Sequence, residues 1–361
     1  MIEILKDSIL VNINNIKYEL PHLWVRDNCA CNECRIKETQ EKQFLINSIE
    51  ADVVPDKVIQ EKKNLIVYWP DKHVTKLSLE DLEDVNKKRF PKPKFWKKNF
   101  QPNYFDWKKF LEDDLIAIEA LKSLLISGVF ILDKAPSRKN SLEKLSSRLG
   151  PIHETLFERI HNVSVDGHVY NVAHTAKALP PHNDFASYTA QPSIQALHML
   201  VNECKGGHSI ILDGLSLLKD LQIDHPGHFE ILTKFAIPFR EFDNENETYA
   251  EEPIISLYPS GEIKSFRFSN QLMQMIDPKR KYLKEFYFAY HELCKRINTK
   301  HYKASFRLES GQVLIVASHR VLHARESFIP DGKRHLQDAY YVFDNAANNF
   351  VLLTNQKKLN R

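Results

Sequence analysis

The triplet His182-Asn183-Asp184 places an imidazole and a carboxylate two positions apart along the chain. Both side chains are common ligands of divalent transition metals. The sequence on either side of the triplet is typical of strands, and on a strand the side chains of residues i and i+2 point to the same face. Pro180 and Pro181 stiffen the approach, which lowers the entropy lost when an ion binds. The spacing predicts a two-ligand metal clamp that needs a third ligand from elsewhere in the chain.

The third ligand is expected on a strand that faces the same cavity. The segment VLIVASHRVLHAR offers His319 and His323, which are four positions apart and could both face inward on a regular strand. Two histidines and one carboxylate on one face of an ion leave the opposite face open, as in non-haem iron(II) oxygenases. The other triplet of this kind, His228-Phe229-Glu230, lies in a segment with helical character, where side chains two positions apart diverge by about 200°. We therefore predict that it does not bind metal.

A cysteine cluster near the N-terminus predicts a second metal site. Cys29, Cys31 and Cys34 lie within six residues, a spacing that suits thiolate ligands of one ion better than unstrained disulfides. His73 in WPDKHV is the candidate for the fourth ligand of a tetrahedral zinc site. Four protein ligands would leave the ion no open position, so its role would be structural. The alternative interpretation is a set of free thiols.

Composition and charge narrow the class of protein. A chain of 361 residues with 43% hydrophobic content suits one large domain, or a large domain with a smaller companion. A formal net charge of +3 is too small to indicate a nucleic-acid partner. The segment MIEILKDSILVNINN has acidic residues where a targeting segment would be basic, and no apolar run reaches the length of a membrane span. We therefore expect a cytoplasmic protein without a membrane partner.

The elements that would position these residues fall into three stretches. Residues 1–86 read as short strands with turns, such as SILVNI and KNLIVYWP. Residues 87–105 contain KKRFPKPKFWKKNF and read as a basic Pro/Lys linker in solvent, which is favoured over a phosphate-binding patch. Residues 106–361 would form the catalytic domain.

Helices in the catalytic stretch are expected over residues 113–128, over residues 140–150 with Asn140 as the cap, and from Asp277-Pro278 to about residue 297. Strands are expected in segments such as HVYNVAH, SIQALHMLVN and GQVLIVASHRVLHAR. Helices ahead of a mainly antiparallel set of strands indicate an α+β protein with a sandwich or jelly roll. The order of the strands is left open.

Several segments, taken in order, resemble the Fe(II)/2-oxoglutarate dioxygenases typified by γ-butyrobetaine and trimethyllysine hydroxylases, within the taurine-dioxygenase-like group. WVRDNCACNEC with WPDKHV resembles the N-terminal zinc module of that family, and HND resembles its His-x-Asp motif. GGHSIILDG is similar to its Gly-Gly-x-Ser/Thr…Asp-Gly strand, RVLHAR to the segment with the distal histidine, and RHLQDAYYVFD to the segment with the co-substrate arginine. The resemblance covers nearly the whole chain.

The resemblance implies a double-stranded β-helix (jelly roll) with helical insertions, preceded by a small zinc-binding β domain. It implies Fe(II) bound by His182, Asp184 and His323, with His323 chosen over His319. Arg334, eleven residues after His323, would bind the distal carboxylate of 2-oxoglutarate, a role that suits a permanently charged bidentate guanidinium. The implied reaction consumes O2 and a small-molecule substrate, hydroxylates a C–H bond and releases succinate and CO2. Ascorbate as a supporting reductant and a homodimer are also implied.

The same resemblance maps a family cage for a trimethylammonium group onto Phe157, His161, His174 and Tyr340, and two substrate-facing asparagines onto Asn171 and Asn270. Two of the four cage positions are histidine here. A neutral imidazole attracts a cation more weakly than Tyr or Trp does, and a protonated one repels it. We therefore expect that the substrate is not γ-butyrobetaine. A small amine, an amino-acid-derived metabolite or an anionic group in contact with His161 or His174 fits better.

Two other functions remain open at this stage. The first is a 2-oxoglutarate oxygenase of a biosynthetic pathway that desaturates or cyclises a different class of substrate. The second is a non-catalytic binding protein with this fold, whose signature would be a broken set of iron ligands or a lost arginine. Neither change is present in the sequence, so an enzyme is expected.

Overall fold

The computed structural model describes residues 2–13, 15–85, 89–164 and 175–359. The chain divides into two compact units, Met1–Arg89 and Phe90–Arg361. The domain limits expected from the sequence stay a prediction, although residues 90–105 of the expected linker are grouped with the second unit. The expected strand HVYNVAH, residues 168–174, lies outside the described residues.

The first unit contains two small antiparallel sheets, β1-β2-β3 and β4-β5-β6. Its elements are β1 (Ile2–Ile4), β2 (Ser8–Ile13), β3 (Ile16–Pro21), α1 (His22–Asp27), β4 (Lys57–Glu61), β5 (Asn64–Tyr68), β6 (Val74–Ser78) and α2 (Leu79–Asp84). Alternate residues of β2 and β5 are buried in a shared core, as expected for strands with one solvated face. This core includes Ile9, Val11, Leu65, Val67 and Trp69.

The second unit is built on two larger sheets. The elements before its long insertion are β7 (Tyr104–Asp106), α3 (Trp107–Glu112), α4 (Asp114–Ser127), β8 (Val129–Asp133), α5 (Ser146–Leu149), β9 (His161–Ser164), β10 (Leu179–His182), β11 (Ile194–Asn202), β12 (Lys205–Gly206) and β13 (Ser209–Asp213). The insertion contains α6 (Gly214–Asp224), α7 (Pro226–Lys234), β14 (Ala236–Phe242), β15 (Glu247–Pro253), β16 (Ile255–Leu257), β17 (Ile263–Phe266) and α8 (Leu283–Asn298). The chain then continues with β18 (Lys303–Phe306), β19 (Gln312–Val316), β20 (Val321–Arg325), β21 (Phe328–Ile329), β22 (Arg334–Tyr341) and α9 (Phe343–Leu359).

The two sheets of this unit form the jelly roll expected from the sequence. One sheet has the order β7-β8-β19-β11-β22-β9 and the other has the order β10-β20-β13-β18. Alternation along β8 sends Phe130 and Leu132 towards α3, α4 and α9, and Val129 and Ile131 into the layer that also contains Ile211 and Val321 of the smaller sheet. Helices α6, α7 and α8 pack with Leu212 and Leu322 in a further core cluster. The core is therefore layered: helices, large sheet, small sheet, helices.

Helix α4 (Asp114–Ser127) matches the sequence prediction and ends at Gly128, which has a φ of 80°. The other two expected helices differ from the prediction at their N-terminal ends. The cap predicted at Asn140 is wrong, because its side chain makes no capping hydrogen bond. Its backbone N–H instead donates to Gln337 Oε1 at 2.8 Å. Helix α8 begins at Leu283 and not at Asp277-Pro278, because Tyr282 at the N-cap has a left-handed φ of 66°.

The expected basic linker is not wholly in solvent. Trp96 is buried in the core of the second unit, and it stacks on Phe100 with ring centroids 4.2 Å apart. Its backbone N–H donates to Asp213 at 3.1 Å, and Lys97 forms an ion pair with Asp220 at 2.7 Å. The aromatic residues between the lysines therefore anchor this segment. Each helix in the described part of the chain is too short or too polar to span a lipid bilayer.

Candidate metal centre and active site

Strand pairing brings together the residues of the predicted iron clamp. His182 ends β10, and in the antiparallel register its partner on β20 is His323. The two imidazole ring centroids are 4.3 Å apart. Asp184 follows two residues after the end of β10, and its Oδ1 lies 3.0 Å from Nε2 of His182 and 3.8 Å from Nε2 of His323. One ligand atom from each residue lies within 4.8 Å of the others, so the three side chains could share one ion.

Residue Asn183, between the two ligands of the clamp, locks the turn that presents them. Its side chain is 1% exposed. The carboxamide Nδ2 donates to the carbonyl oxygens of Phe266, at 3.0 Å, and Ser318, at 2.7 Å. Its Oδ1 accepts from the backbone N–H of Phe268 at 2.6 Å. The sequence analysis did not assign Asn183 a role, because these partners are more than 80 residues away along the chain.

His319 lies outside the cluster. The expectation that it could share a strand face with His323 fails because β20 begins only at Val321. The ring of His319 instead packs edge-on against Phe343, with centroids 4.6 Å apart. His228 and Glu230 lie on helix α7, as predicted, and they do not join this cluster.

The electrostatics of the cluster suit a metal ion. Burial lowers the pKa of His323 to about 4, and the neighbouring His182 acts in the same direction, so His323 is neutral near pH 7 and has a lone pair to give. Burial acts against ionisation of Asp184. At the low pH where this carboxyl titrates, both imidazoles are protonated, and their charges, with hydrogen bonds from His182 and Tyr340, hold the pKa of Asp184 below its ordinary value. Nδ1 of His182 lies 2.8 Å from the carbonyl oxygen of Pro180. Because a carbonyl can only accept, Nδ1 carries the hydrogen and Nε2 is the nitrogen that faces the ion.

A second layer of hydrogen bonds fixes the orientation of Asp184. The hydroxyl of Tyr340 donates to Oδ2 of Asp184 at 2.7 Å, and Nε2 of Gln195 donates to the same oxygen at 2.5 Å. The Tyr340 hydroxyl also lies 2.6 Å from Oδ2 of Asp338. With Oδ2 held in this way, Oδ1 faces the imidazoles. Tyr340 was expected only as part of a substrate cage, and Gln195 and Asp338 were not singled out from the sequence.

Arg334 is a buried cation without a counter-charge in the described part of the chain. It begins β22 and is 8% exposed. Its Nε is buried and has no hydrogen-bond partner among the described residues. Burial lowers its pKa, and its guanidinium lies over the ring of Phe328 at 5.1 Å. An unpaired buried guanidinium is costly, and an anionic guest such as a carboxylate relieves that cost.

Arg325 lies on the same strand as His323 and is a second cation close to Arg334. It is two positions from His323 on β20, so the two side chains leave the same face of the strand. Arg325 lies over the same Phe328 ring as Arg334, at 4.9 Å, but its Nη2 donates to the carbonyl oxygens of Thr175 and Lys177. Arg334 is therefore the one of this pair that is better placed to bind an anion.

A cavity of about 470 Å³ opens beside His182 and Asp184. Its wall combines aromatic rings with carboxylates and amides, and it includes Phe157, His161, Phe185, Glu241, Asp338 and Tyr340. Phe185, which the sequence analysis did not single out, lies at the centre of the aromatic part. Its ring centroid is 5.0 Å from that of Tyr340, 5.8 Å from that of His161 and 6.0 Å from that of Phe157. This volume fits a small molecule.

The remaining positions predicted to contact substrate are less well supported. Asn171 and His174 lie outside the described residues. Asn270 is exposed, and its Oδ1 accepts a hydrogen bond from the hydroxyl of Tyr290 at 2.9 Å. Its neighbours Ser269 and Gln271 line the cavity, whereas Asn270 does not. Substrate contact by Asn270 is therefore the prediction that this arrangement supports least.

The cysteine cluster forms a second candidate metal centre, in the first unit. One ligand atom from each of Cys29, Cys31, Cys34 and His73 lies within 4.8 Å of the others. Nε2 of His73 is 3.2 Å from Sγ of Cys29, 3.8 Å from Sγ of Cys31 and 3.6 Å from Sγ of Cys34. Burial raises the pKa of the Cys34 thiol to about 11, despite a hydrogen bond from Arg26. A divalent cation would deprotonate such a thiol and bind it as a thiolate.

Two mainly antiparallel sheets with a His-Asp-His cluster at one end and a buried arginine define the class of jelly-roll non-haem iron oxygenases that use a keto acid. The chain belongs to the taurine catabolism dioxygenase TauD, TfdA family, whose sequence model matches residues 91–340. The model of the gamma-butyrobetaine hydroxylase-like N-terminal region matches residues 7–84. The chain is thus an Fe(II)- and 2-oxoglutarate-dependent dioxygenase, and both the family resemblance and the enzyme class expected from the sequence are confirmed.

Individual relatives match over most of the chain. It is 28% identical to a gamma-butyrobetaine dioxygenase from Pseudomonas sp. (strain AK-1), in a match that covers 92% of this chain and 90% of the relative. It is 26% identical to a mitochondrial trimethyllysine dioxygenase from Bos taurus, covering 94% of this chain and 84% of the relative. A crystal structure assigned as an alpha-ketoglutarate-dependent taurine dioxygenase from Burkholderia xenovorans aligns with a TM-score of 0.52 at 14% identity, over 68% of this chain and 88% of that one. This likeness supports the jelly-roll fold.

Proposed function

We propose that this dioxygenase hydroxylates an unactivated C–H bond of a small amine or amino-acid-derived metabolite, with His182, Asp184 and His323 as the ligands of Fe(II). The observation that carries the proposal is the convergence of these three side chains within 4.8 Å at the edge of a small-molecule cavity. The size of the cavity and the relatives named for γ-butyrobetaine and trimethyllysine support a small amine as substrate.

Arg334 is proposed to bind the distal carboxylate of 2-oxoglutarate. The buried guanidinium has no ion pair with any described residue, and a bidentate pair with a carboxylate would satisfy both its charge and its donors. When bound, iron(II) and 2-oxoglutarate would allow O2 to oxidise a C–H bond of the substrate, and succinate and CO2 would be the co-products. The protein residues bind and orient the reactants and exclude water from them.

The cavity wall determines how a substrate lies relative to the cluster. Phe185 and Tyr340 present apolar surface next to Asp184, and Phe157 extends that surface. The hydroxyl of Tyr340 holds Oδ2 of Asp184, so one residue contacts the substrate space with its ring and fixes an iron ligand with its hydroxyl. Preorganisation of this kind keeps the reacting bond and the ion at a constant separation.

The cluster of three cysteines and His73 is proposed to bind a structural Zn(II). The set of three thiols and one imidazole is typical of closed tetrahedral zinc sites, and two of the thiols are nearly fully buried. Four protein ligands leave no position for a substrate. The predicted homodimer also stays a prediction.

The alternatives weighed from the sequence are less well supported. A non-catalytic protein would not need three complete iron ligands together with a buried arginine. The relatives that cover most of the chain are dioxygenases named for small amine compounds, which does not favour an oxygenase that desaturates or cyclises a different class of substrate.

A substrate screen tests the proposed function. Purified protein with Fe(II), ascorbate and 2-oxoglutarate is mixed with a panel of small amines and amino acids, and succinate is measured. We expect at least one amine to stimulate succinate formation and to gain one oxygen atom by mass spectrometry. A product that has instead lost two hydrogens would favour the desaturation alternative. Failure of every amine, with stimulation by another class of compound, would contradict the substrate class.

A further inference from the structure

A buried arginine holds the loop that follows the iron clamp. Arg267 comes directly after β17 and is 8% exposed. Its Nη1 donates to the carbonyl oxygens of Ala186 and Tyr188, and its Nη2 donates to that of Thr189 at 2.9 Å. Burial lowers the pKa of Arg267 to about 10, so the side chain is still a cation near pH 7. Hydrogen bonds from a charged donor are stronger than those between neutral groups, so the loop of residues 185–189 is held firmly.

The segment that contains Arg267 also holds the iron clamp. The carbonyl oxygen of Phe266 accepts from Nδ2 of Asn183, and the backbone N–H of Phe268 donates to Oδ1 of Asn183. Residues 266–268 therefore fix the clamp through their backbone and the loop after it through the side chain of Arg267.

The loop carries the ring at the centre of the cavity wall. Phe185 is 5% exposed and has a left-handed φ of 52°, a conformation that bulky side chains rarely adopt and that persists only where the surrounding structure holds it. Its ring centroid is 5.0 Å from that of Tyr340 and 5.1 Å from that of Tyr188, which belongs to the same loop. The bonds from Arg267 to the loop are part of what holds this strained residue in place.

The loop is also joined to two other parts of the cavity wall. The hydroxyl of Tyr188 accepts from the backbone N–H of Leu156 at 2.8 Å, and the next residue, Phe157, lines the cavity. The hydroxyl of Ser187 lies 2.7 Å from that of Thr248 on β15, whose partner strand β14 contributes residues 240–242 to the cavity wall. A shift of this loop would therefore move several parts of the wall together.

We infer that Arg267 is a positioning residue for substrate binding: by holding the loop of residues 185–189, it keeps Phe185 and, through Tyr188 and Leu156, Phe157 at the face of the cavity. The inference rests on the proposed function, because it concerns how the same site holds its substrate. Arg267 acts on the substrate through these rings and does not line the cavity itself.

Hydrogen exchange tests whether the effect of Arg267 reaches the far side of the loop. Arg267→Met keeps the length of the side chain and removes its charge and its donors. We expect exchange to become roughly tenfold faster over residues 185–189 and also over residues 154–158, since the loop would open more easily. Unchanged exchange over residues 154–158 overturns the inference.

Arg307→Met is the matched control. Arg307 directly follows β18, as Arg267 follows β17. Its guanidinium likewise donates to three carbonyl oxygens, those of Asn202, Cys204 and Gly206. These residues do not line the cavity. The control should lower the melting temperature as Arg267→Met does but leave exchange over residues 154–158 unchanged. Equal acceleration there in both variants would show a merely structural role for Arg267.

Tyr188→Phe tests the route through the loop. It keeps the ring and removes the hydroxyl that accepts from Leu156, so exchange over residues 154–158 should rise. Combined with Arg267→Met, it should add little to the faster of the two single variants, because both break the same connection. Independent, additive effects overturn the route through Tyr188. If Arg267→Met does not fold, Arg267→Lys replaces it, since lysine keeps the charge but has all its N–H groups on one nitrogen.

A binding measurement connects the loop to the substrate. Protein loaded with Fe(II) and 2-oxoglutarate is titrated without O2 in a calorimeter with γ-aminobutyrate, γ-butyrobetaine, lysine and Nε-trimethyllysine. Each probe that the unmodified protein binds should bind about tenfold more weakly to Arg267→Met, because the released rings must be ordered again. Arg267→Lys should lie between the two.

The affinities for Fe(II) and 2-oxoglutarate should not change in Arg267→Met, because Asn183 still holds the clamp. Unchanged probe affinity, or an equal loss of affinity for 2-oxoglutarate, overturns the inference. If the unmodified protein binds none of the four probes, the exchange measurements decide.

Failure of this inference and failure of the proposed function give different results. If exchange and probe binding respond to Arg267→Met as expected but no amine is oxidised, the proposed hydroxylation fails and the role of Arg267 stands. If an amine is oxidised but Arg267→Met binds it as well as the unmodified protein does, the hydroxylation stands and the role of Arg267 fails.

Discussion

The two oxygens of Asp184 face different environments, and this difference links the iron site to the substrate cavity. Oδ1 lies 3.0 Å from Nε2 of His182, whereas Oδ2 accepts from the Tyr340 hydroxyl at 2.7 Å. Loss of a partner that orients a metal-binding side chain typically lowers metal affinity by roughly 10- to 100-fold. Tyr340 is therefore expected to matter for the metal as well as for the substrate.

Tyr340→Phe should lower the affinity for iron(II) by roughly tenfold, because the ring stays but the hydrogen bond to Asp184 is lost. Iron(II) binding is measured by anaerobic titration. Tyr341→Phe is the matched control, since its hydroxyl donates to the carbonyl oxygen of Leu142 at 2.7 Å and does not approach the cluster. Equal iron affinities for the two variants would contradict the proposed part of Tyr340 in orienting Asp184.

Arg334→Ala should weaken 2-oxoglutarate binding by about 2 kcal/mol or more, the order of a charge-assisted bidentate pair. Iron(II) affinity should not change. The melting temperature without keto acid should fall little, because the guanidinium has no ion pair with a described residue to lose. Calorimetric titration with 2-oxoglutarate and thermal unfolding measure these quantities. Unaltered affinity for 2-oxoglutarate would remove Arg334 from the co-substrate site.

At the level of elements, the iron ligands depend on the antiparallel pairing of β10 with β20 and on the turn that follows β10. The register puts His182 opposite His323, and Asn183 ties the turn to the carbonyl oxygens of Phe266 and Ser318. Asn183 thus lies between the two ligands in the sequence, and its side chain bonds to the backbone of Phe266, Phe268 and Ser318.

Asn183→Ala should reduce the free energy of unfolding by about 3 kcal/mol, because it leaves two buried carbonyl oxygens and one N–H without partners. It should also lower iron affinity, since the turn that aims His182 and Asp184 is released. Denaturant unfolding measures the first effect and metal titration the second. Asn348→Ala, which removes one exposed hydrogen bond to the Asp344 carbonyl oxygen, is the control and should cost well under 1 kcal/mol. Similar losses in both variants would show that the turn is not locked by Asn183.

The sequence could predict those parts of this site whose residues lie close together along the chain or belong to a recognisable motif. The clamp at residues 182 and 184 was visible because its spacing is local, and Arg334 was found through a resemblance. Gln195 and Asp338 meet only through pairing of β11 with β22, in which their side chains come from positions 143 residues apart. No local pattern marks such a contact. The start of α8 was wrong for a different reason: Asp277-Pro278 has the chemistry of a helix start, but the left-handed Tyr282 delays the helix.

For the molecule as a whole, the sequence predicted the α+β class and, through the resemblance, the jelly roll. It could not give the strand order, because that order depends on which distant strands exchange hydrogen bonds. The two candidate metal centres lie in different units. Their losses should therefore be separable by experiment.

Cys31→Ser should reduce the zinc content and unfold the first unit. A small β domain with a structural zinc site draws much of its folding free energy from binding of the ion. Zinc is measured by mass spectrometry of the metal, and local unfolding by hydrogen exchange. We expect exchange to rise across residues 8–78 while iron(II) binding by the second unit is retained. Cys294→Ser, in α8, is the control and should keep the zinc. Protein prepared without chelator that contains no zinc would contradict the structural zinc site.

Anomalous diffraction from crystals loaded with iron(II) in the absence of O2 tests the central claim most directly. We expect one iron peak in contact with Nε2 of His182, Nε2 of His323 and the carboxylate of Asp184, and its loss in Asp184→Ala crystals grown under the same conditions. Asp184→Ala should also release no succinate from 2-oxoglutarate. An iron peak at any other set of side chains, or fully loaded protein with no peak at these three, would contradict the proposed iron site.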